Sequence, residues 1–178
     1  MRVMYKKMSY IWLCIAVLFV QIFLLDNVNI GASLGIWMRP MIFPLVVLLL
    51  PIELKMIWVM LVAYGVGCTM DLSIGGEGLY VATLLPLALL RPTIVYVTTR
   101  RSVEVGDQAQ LLTKLSLRQL MLYIFASLLL HHALFFTLEV LSFSNPGRLL
   151  ATIILSTLLS MAIGWFVVRI FISKVLMR

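Results

Sequence analysis

The sequence predicts an all-α integral membrane protein: one transmembrane domain over residues 1–178, built of six membrane-spanning helices with both termini in the cytoplasm. Three observations lead there. Apolar residues make up 63% of the chain and charged residues only 12%, whereas a soluble domain needs roughly 25% charged residues to cover its surface. The apolar residues come in long blocks without a period-2 or narrow period-3.6 stripe, and helices apolar all round belong in lipid. Six spans of about 20 residues use about 120 residues, which leaves connections and ends but no separate globular domain. A transmembrane β-barrel, the other structure that can span lipid, needs alternating polar lumen residues that this chain lacks. The basic residues, finally, sit between the blocks. A net charge of +7 could suggest nucleic acid, but these bases are not gathered into a patch with interleaved aromatics. No nucleic-acid partner is expected.

The first helix covers about 10–25. It follows Arg2, Lys6 and Lys7 like the start of a signal peptide, yet no small-x-small cleavage site comes after it and five more apolar blocks do, so an uncleaved helix is expected. The second, about 38–51, is short and bracketed by Arg39-Pro40 and Pro51. The third covers about 55–71. The fourth, about 79–97, contains Pro86 and Arg91-Pro92; either proline should kink it, and Pro92 is a candidate end. The fifth and sixth cover about 118–141 and 149–172. Between the fourth and fifth lies the longest connection, about 98–117, which mixes Arg100, Arg101, Glu104, Asp107 and Lys114. Its second half, 108–117, is a candidate surface-lying helix; the loop either meets anionic headgroups or docks a cytoplasmic partner.

Orientation follows from the Lys and Arg count in the connections. With the N-terminus in the cytoplasm, Arg2, Lys6, Lys7, Lys55, Arg100, Arg101, Lys114, Arg118, Lys174 and Arg178 fall inside, and only Arg39 and Arg148 outside. That bias requires an even number of spans and depends on the short second helix.

Ionisable groups within lipid are candidates for function. Asp71 closes the third helix, and Ala63, Gly67 and Asp71 share one face, whose small residues admit a close neighbour. Asp71 either caps the turn made by Gly75, Gly76 and Gly78 or handles a proton or ligand. Arg91 lies about 20 Å down the fourth helix from its outer turn, too deep to pair with Asp71; it either pairs with Glu53 or snorkels to the inner headgroups. His131 and His132 point about 100° apart, so they do not readily chelate one metal. Each is expected to be neutral and hydrogen-bonded to a neighbouring helix, with His132 and Glu139 on one face as a conceivable polar crevice. Thr152, Ser156, Ser160 and Gly164, at steps of four, form the clearest packing stripe and should face another helix of this chain or of a partner. Cys14 and Cys68 lie in apolar blocks without metal spacing and read as buried inert thiols. No nucleophile elbow, phosphate loop or zinc motif is present, so neither enzyme activity nor a metal or cofactor is expected.

The stretch 21–92 resembles the MreD family of small inner-membrane proteins of the bacterial rod-shape system. The matching features are Arg39-Pro40 opening a short apolar helix, then Leu50-Pro51-Ile52-Glu53. Next comes Gly65-Val66-Gly67-Cys68-Thr69-Met70-Asp71-Leu72, followed by Gly78-Leu79 and an apolar helix reaching Arg91-Pro92. The Leu-Pro-x-Glu feature and the Arg-Pro ending look most like Bacteroidota versions. The last two helices match only in length and hydropathy. Many members carry a polar or basic residue, often His, after Gly-Leu, where this chain has Tyr80. The resemblance implies a non-enzymatic scaffold of the cell-elongation complex in the cytoplasmic membrane, associated with an MreC-like periplasmic protein. It further implies association with an MreB-like filament, a RodA-like glycosyltransferase and a class B transpeptidase. It also implies a six-helix arrangement like that of the substrate-binding subunits of ECF transporters, which makes a small solute-binding or transport subunit the alternative. Under the scaffold reading Arg39, Pro40, Gly67, Asp71, Gly78, Arg91, Ser156, Ser160 and Gly164 are the structural or partner-binding candidates.

Overall fold

A computed structural model of the chain describes residues 2–27, 38–51, 54–100, 115–141 and 145–171, with the side chains of 2–9 and of 171 outside that set. Among the described residues the fold is entirely helical. The first helix, α1 (Arg2–Val20), runs directly into a π-helical turn at Gln21–Leu25. After it come α2 (Pro44–Leu48), α3 (Met56–Ile74), α4 (Leu79–Thr99), α5 (Leu117–Val140) and α6 (Pro146–Phe171). Four of these, α3 to α6, are long and apolar enough to cross a membrane, while the apolar stretch Tyr10–Leu25 is shorter. The chain is therefore a multi-pass membrane protein by length and composition. The expectation of six transmembrane helices is corrected to six helices with four candidate spans among the described residues.

The second element departs furthest from expectation. A full helix over 38–51 is replaced by five helical residues, about 8 Å of axis. Proline is the reason. Pro40 biases Arg39 away from the α region, so the chain enters extended; Phe43 is already in the α region when Pro44 takes the first helical position, where its missing N–H costs nothing. Pro51 then ends the helix. Residues 40–50 are nonetheless all buried. Non-helical backbone at membrane depth is tolerated only inside protein, and the other helices enclose it.

The α3–α4 corner is built by local chemistry. Gly75 ends α3 in the left-handed region at φ 79°, and Gly78 opens α4 at φ 91°. The Asp71 carboxylate then accepts the first free N–H groups of α4, from Tyr80 and Val81, at 3.1 Å each. Gly67 brings the two helices together, since a Cβ there would lie 2.7 Å from Val81 Cα. As the expected helix over about 79–97 requires, α4 continues through Pro86 and Pro92 to Thr99, and the candidate end at Pro92 is not used. At the start of α5, Ser116 and Gln119 form a capping box of the kind that satisfies two free N–H groups reciprocally. Consecutive helices from α3 to α6 pack as neighbours. The loop helix expected at 108–117 falls mostly outside the described residues, as do Arg101, Glu104, Asp107 and Lys114.

Candidate functional site: a broken segment held by buried polar groups

Residues 38–51 run antiparallel to α5. Arg39 meets Glu139 at one end, and the Leu48 carbonyl meets Tyr123 at the other. Those two α5 residues are separated by about 24 Å of helix axis. A chain that is mostly non-helical over such a depth must find a partner for each backbone donor, because an unpaired one costs about 1–3 kcal/mol. Pro40, Pro44 and Pro51 have no N–H to satisfy. The N–H of Arg39 donates to Ser156 Oγ at 3.2 Å, and that of Met41 to Ser160 Oγ at 2.8 Å. The Gln21 side chain pairs like a strand edge: its Oε1 accepts from Ile42 N–H at 2.7 Å and its Nε2 donates to the Pro40 carbonyl at 3.1 Å. Leu45 and Val46 donate back to Ile42 and Phe43 at 3.0 Å.

The α6 stripe thus does face this chain, but not a helix. Ser156 and Ser160 supply hydroxyls to extended backbone, and Gly164 makes room for Leu45, whose Cδ1 would lie 3.0 Å from a Cβ added there. His132 extends the network. Its Nδ1–H donates to the Leu128 carbonyl at 2.7 Å and its Nε2 accepts from Ser160 Oγ at 3.1 Å. A carbonyl only accepts, so the proton of the neutral ring is assigned to Nδ1.

At the other end α2 exposes free carbonyls, and Arg91 covers them. Its guanidinium donates to Leu50 O, and at 3.4 Å to both Leu48 O and Pro51 O. Its Nε donates to Tyr123 Oη at 3.3 Å, and that hydroxyl donates in turn to Leu48 O at 3.1 Å. Tyr10 donates its hydroxyl to Val46 O. A cation at a helix C-terminus is favoured by the carbonyl dipoles, and the planar fork reaches three acceptors where an ammonium would reach fewer. Arg91 is 4% exposed, so it does not snorkel. Glu53, its other expected partner, lies outside the described residues.

Arg39 heads the segment. Its Nη1 donates to Glu139 Oε1 at 2.7 Å, its Nη2 stands 3.9 Å from Asp26 Oδ1, and its Cζ is 6.0 Å from the centre of the Phe135 ring. Asp26, which lies beyond the apolar stretch of α1, has its carboxyl pushed above the ordinary carboxylate range by burial, which Arg39 offsets only in part. Glu139 is therefore engaged with Arg39 and His132 with Ser160, so the crevice expected between Glu139 and His132 is not where either side chain is bound. His131 corrects another expectation. It is fully buried between Phe43 and Phe135, beside the Thr83 backbone, and neither ring nitrogen has a hydrogen bond among the described residues. Among the described residues no three His, Cys, Asp or Glu side chains converge as a metal site. Cys14 and Cys68 are half-buried rather than buried.

Gln21, Tyr10 and Tyr123 are the working residues that sequence reasoning passed over. Gln21 gave a usable signal as an isolated amide within an apolar block. Tyrosines in a membrane helix gave none, because the partner backbone is distant in sequence. Together these features define a polytopic helical membrane protein that encloses a broken, proline-punctuated segment. No family model, curated protein or solved structure matches the chain.

Proposed function

We propose that this protein is a non-enzymatic scaffold of the bacterial cell-elongation machinery, similar to MreD, which holds an MreC-like periplasmic partner in the cytoplasmic membrane. One observation supports this most. Six polar side chains buried at membrane depth (Gln21, Arg91, Tyr123, His132, Ser156 and Ser160) are turned onto the chain's own backbone or onto one another, His131 being an exception. A solute site keeps a few polar groups aimed at an open pocket. Here they hold a shape. The cleft between α1 and α2, lined by Tyr10, Leu13, Cys14, Val17, Leu45 and Leu49, is mainly apolar, and the outward faces of the long helices carry large apolar side chains suited to lipid or to another helix.

On this reading both termini and the 98–117 loop face the cytoplasm and an MreB-like filament, and a RodA-like glycosyltransferase and class B transpeptidase join through the partner. Arg39-Pro40, Gly67-Asp71, Gly78 and Arg91, the residues that carry the resemblance, serve the fold's own junctions. The test is co-purification: solubilised in mild detergent, the tagged protein should bring down a co-expressed MreC-like protein in a stable complex. A stably monomeric protein that retains no such partner would defeat the proposal. Thermal stabilisation by a vitamin would point instead to a solute-binding subunit related to ECF transporters.

A further inference from the structure

Among the described side chains, those of α1 are the least buried of any long helix. Between Tyr10 and Val20 only Val17 is buried, whereas α5 buries nine residues. Trp12, Ile15 and Phe19 turn outward, each more than half exposed. On the inward side a cleft lined by Leu13, Cys14, Leu45 and Leu49 lies between α1 and the broken segment. Apolar contact does little to hold such a helix in a membrane, because acyl chains replace it at almost no cost. Polar bonds decide where α1 stays, since each one broken in lipid leaves a group without a partner.

Those bonds are unevenly placed. At the Asp26 end, the Gln21 amide bonds the segment twice, to the Pro40 carbonyl at 3.1 Å and to Ile42 N–H at 2.7 Å, and Asp26 stands 3.9 Å from Arg39. About 16 Å of helix axis away, the Tyr10 hydroxyl donates to the Val46 carbonyl. Right at the stronger fastening the winding becomes π-helical, over Gln21–Leu25. Such turns are frequent at functional sites and are among the few places where helices bend. The Asn27 side chain steadies this one, donating to the Ile22 and Phe23 carbonyls at 3.3 and 3.1 Å. The helix thus has a pivot at one end and a hydroxyl latch towards the other.

We propose that α1 is a strap over the broken segment, pivoting at the π-turn and latched by the Tyr10 hydroxyl. Release of the latch swings the Tyr10 end outward, opens the cleft to the bilayer and uncovers Leu45, Val46 and Leu49. Opening takes the Tyr10 donor away from the Val46 carbonyl, so the closed strap is the resting state and the open one a minority. The Gln21 bonds stay made throughout, which keeps the start of the segment in register. The device stands apart from the scaffold proposal and does not depend on it.

The test uses the full chain in nanodiscs, with Cys14 and Cys68 replaced by Ala and distances read between spin labels by double electron–electron resonance. One labelled pair, Trp12→Cys with Phe166→Cys, spans the latched end, where α6 meets the cleft through Val167. The other, Phe23→Cys with Leu150→Cys, spans the pivot end. All four positions are more than half exposed. Tyr10→Phe keeps the ring and removes only the hydroxyl. In the first pair it should raise the share of a second, longer distance about fivefold, the worth of one neutral hydrogen bond. The second pair should keep a single, unchanged distance, which also shows that the variant is folded. A longer distance that is absent from both proteins, or no more frequent in Tyr10→Phe, overturns the latch. Equal lengthening in the second pair overturns the pivot, because α1 would then leave as a whole.

Discussion

At Ser160 a single hydroxyl serves two elements, accepting from the Met41 backbone and donating to His132. Ser160→Ala leaves a buried N–H without an acceptor and a ring nitrogen without a donor. Each such loss costs about 1–3 kcal/mol, and the two share one cause, so the variant should be destabilised by about 2–4 kcal/mol in a reversible unfolding assay in detergent. An unchanged stability would mean that Ser160 does not carry the contact. At His131, the residue beside His132 on α5, the sign reverses. The His131 ring is wholly buried and neither nitrogen makes a hydrogen bond among the described residues, so its polarity is a cost that the fold already bears. His131→Phe keeps a planar ring between Phe43 and Phe135 and removes the unmet polar atoms. Stability should rise by about 1–2 kcal/mol. A large loss would show that the imidazole has a partner in the membrane-embedded protein.

At the scale of elements, α3 presents two glycines with opposite duties. Gly67 faces α4, where an added Cβ would fall 2.7 Å from Val81 Cα, whereas Gly65 faces open space. Gly67→Val should separate the two helices and cost about 3 kcal/mol or more, as overpacked interfaces do. Gly65→Ala should stabilise α3 by about 0.5–1 kcal/mol, the helix-propensity difference. Paired thermal unfolding of the two variants checks both signs, and equal effects would contradict the packing described. This face was legible in the sequence, because Ala63, Gly67 and Asp71 repeat every four residues and such a stripe has meaning before any contact is known. The Gly75-Gly76-Glu77-Gly78 corner was legible for the same local reason. The broken segment was legible only as an anomaly, a short apolar block fenced by prolines. Hydropathy cannot tell a helix in lipid from extended chain inside a bundle, since both are apolar. Nor could spacing reveal that Arg91 bonds carbonyls 40 to 43 residues away; a side chain seeking backbone leaves no complementary residue in the sequence to pair it with.

Across the whole molecule most described charges are sorted by end, Arg39 and Arg148 being the basic residues at the acidic end. Asp26, Asp71, Glu77 and Glu139 lie where α1, α3 and α5 finish, while Lys55, Arg100, Arg118 and Arg169 lie where α3 and α5 begin and α4 and α6 finish. Basic residues are retained on the cytoplasmic side of a bilayer, so the second end is expected inside. The broken segment then has a decisive topological task. Four long helices alone would leave Asn27 and Lys55 free to emerge on one side, as a re-entrant loop allows. Yet 38–51 reaches from the Glu139 level to the Tyr123 level, about 24 Å of α5, close to the hydrocarbon thickness of about 30 Å. Its donors and carbonyls are met at both ends, so the chain has the means to cross as extended backbone and half-helix. In a background with Cys14 and Cys68 replaced by Ala, Asn27→Cys should therefore react with an impermeant maleimide added outside intact cells. Lys55→Cys should react only after permeabilisation. Labelling of both positions from the same side would make the segment re-entrant, and the charge sorting would then have to place α3 to α6 the other way round.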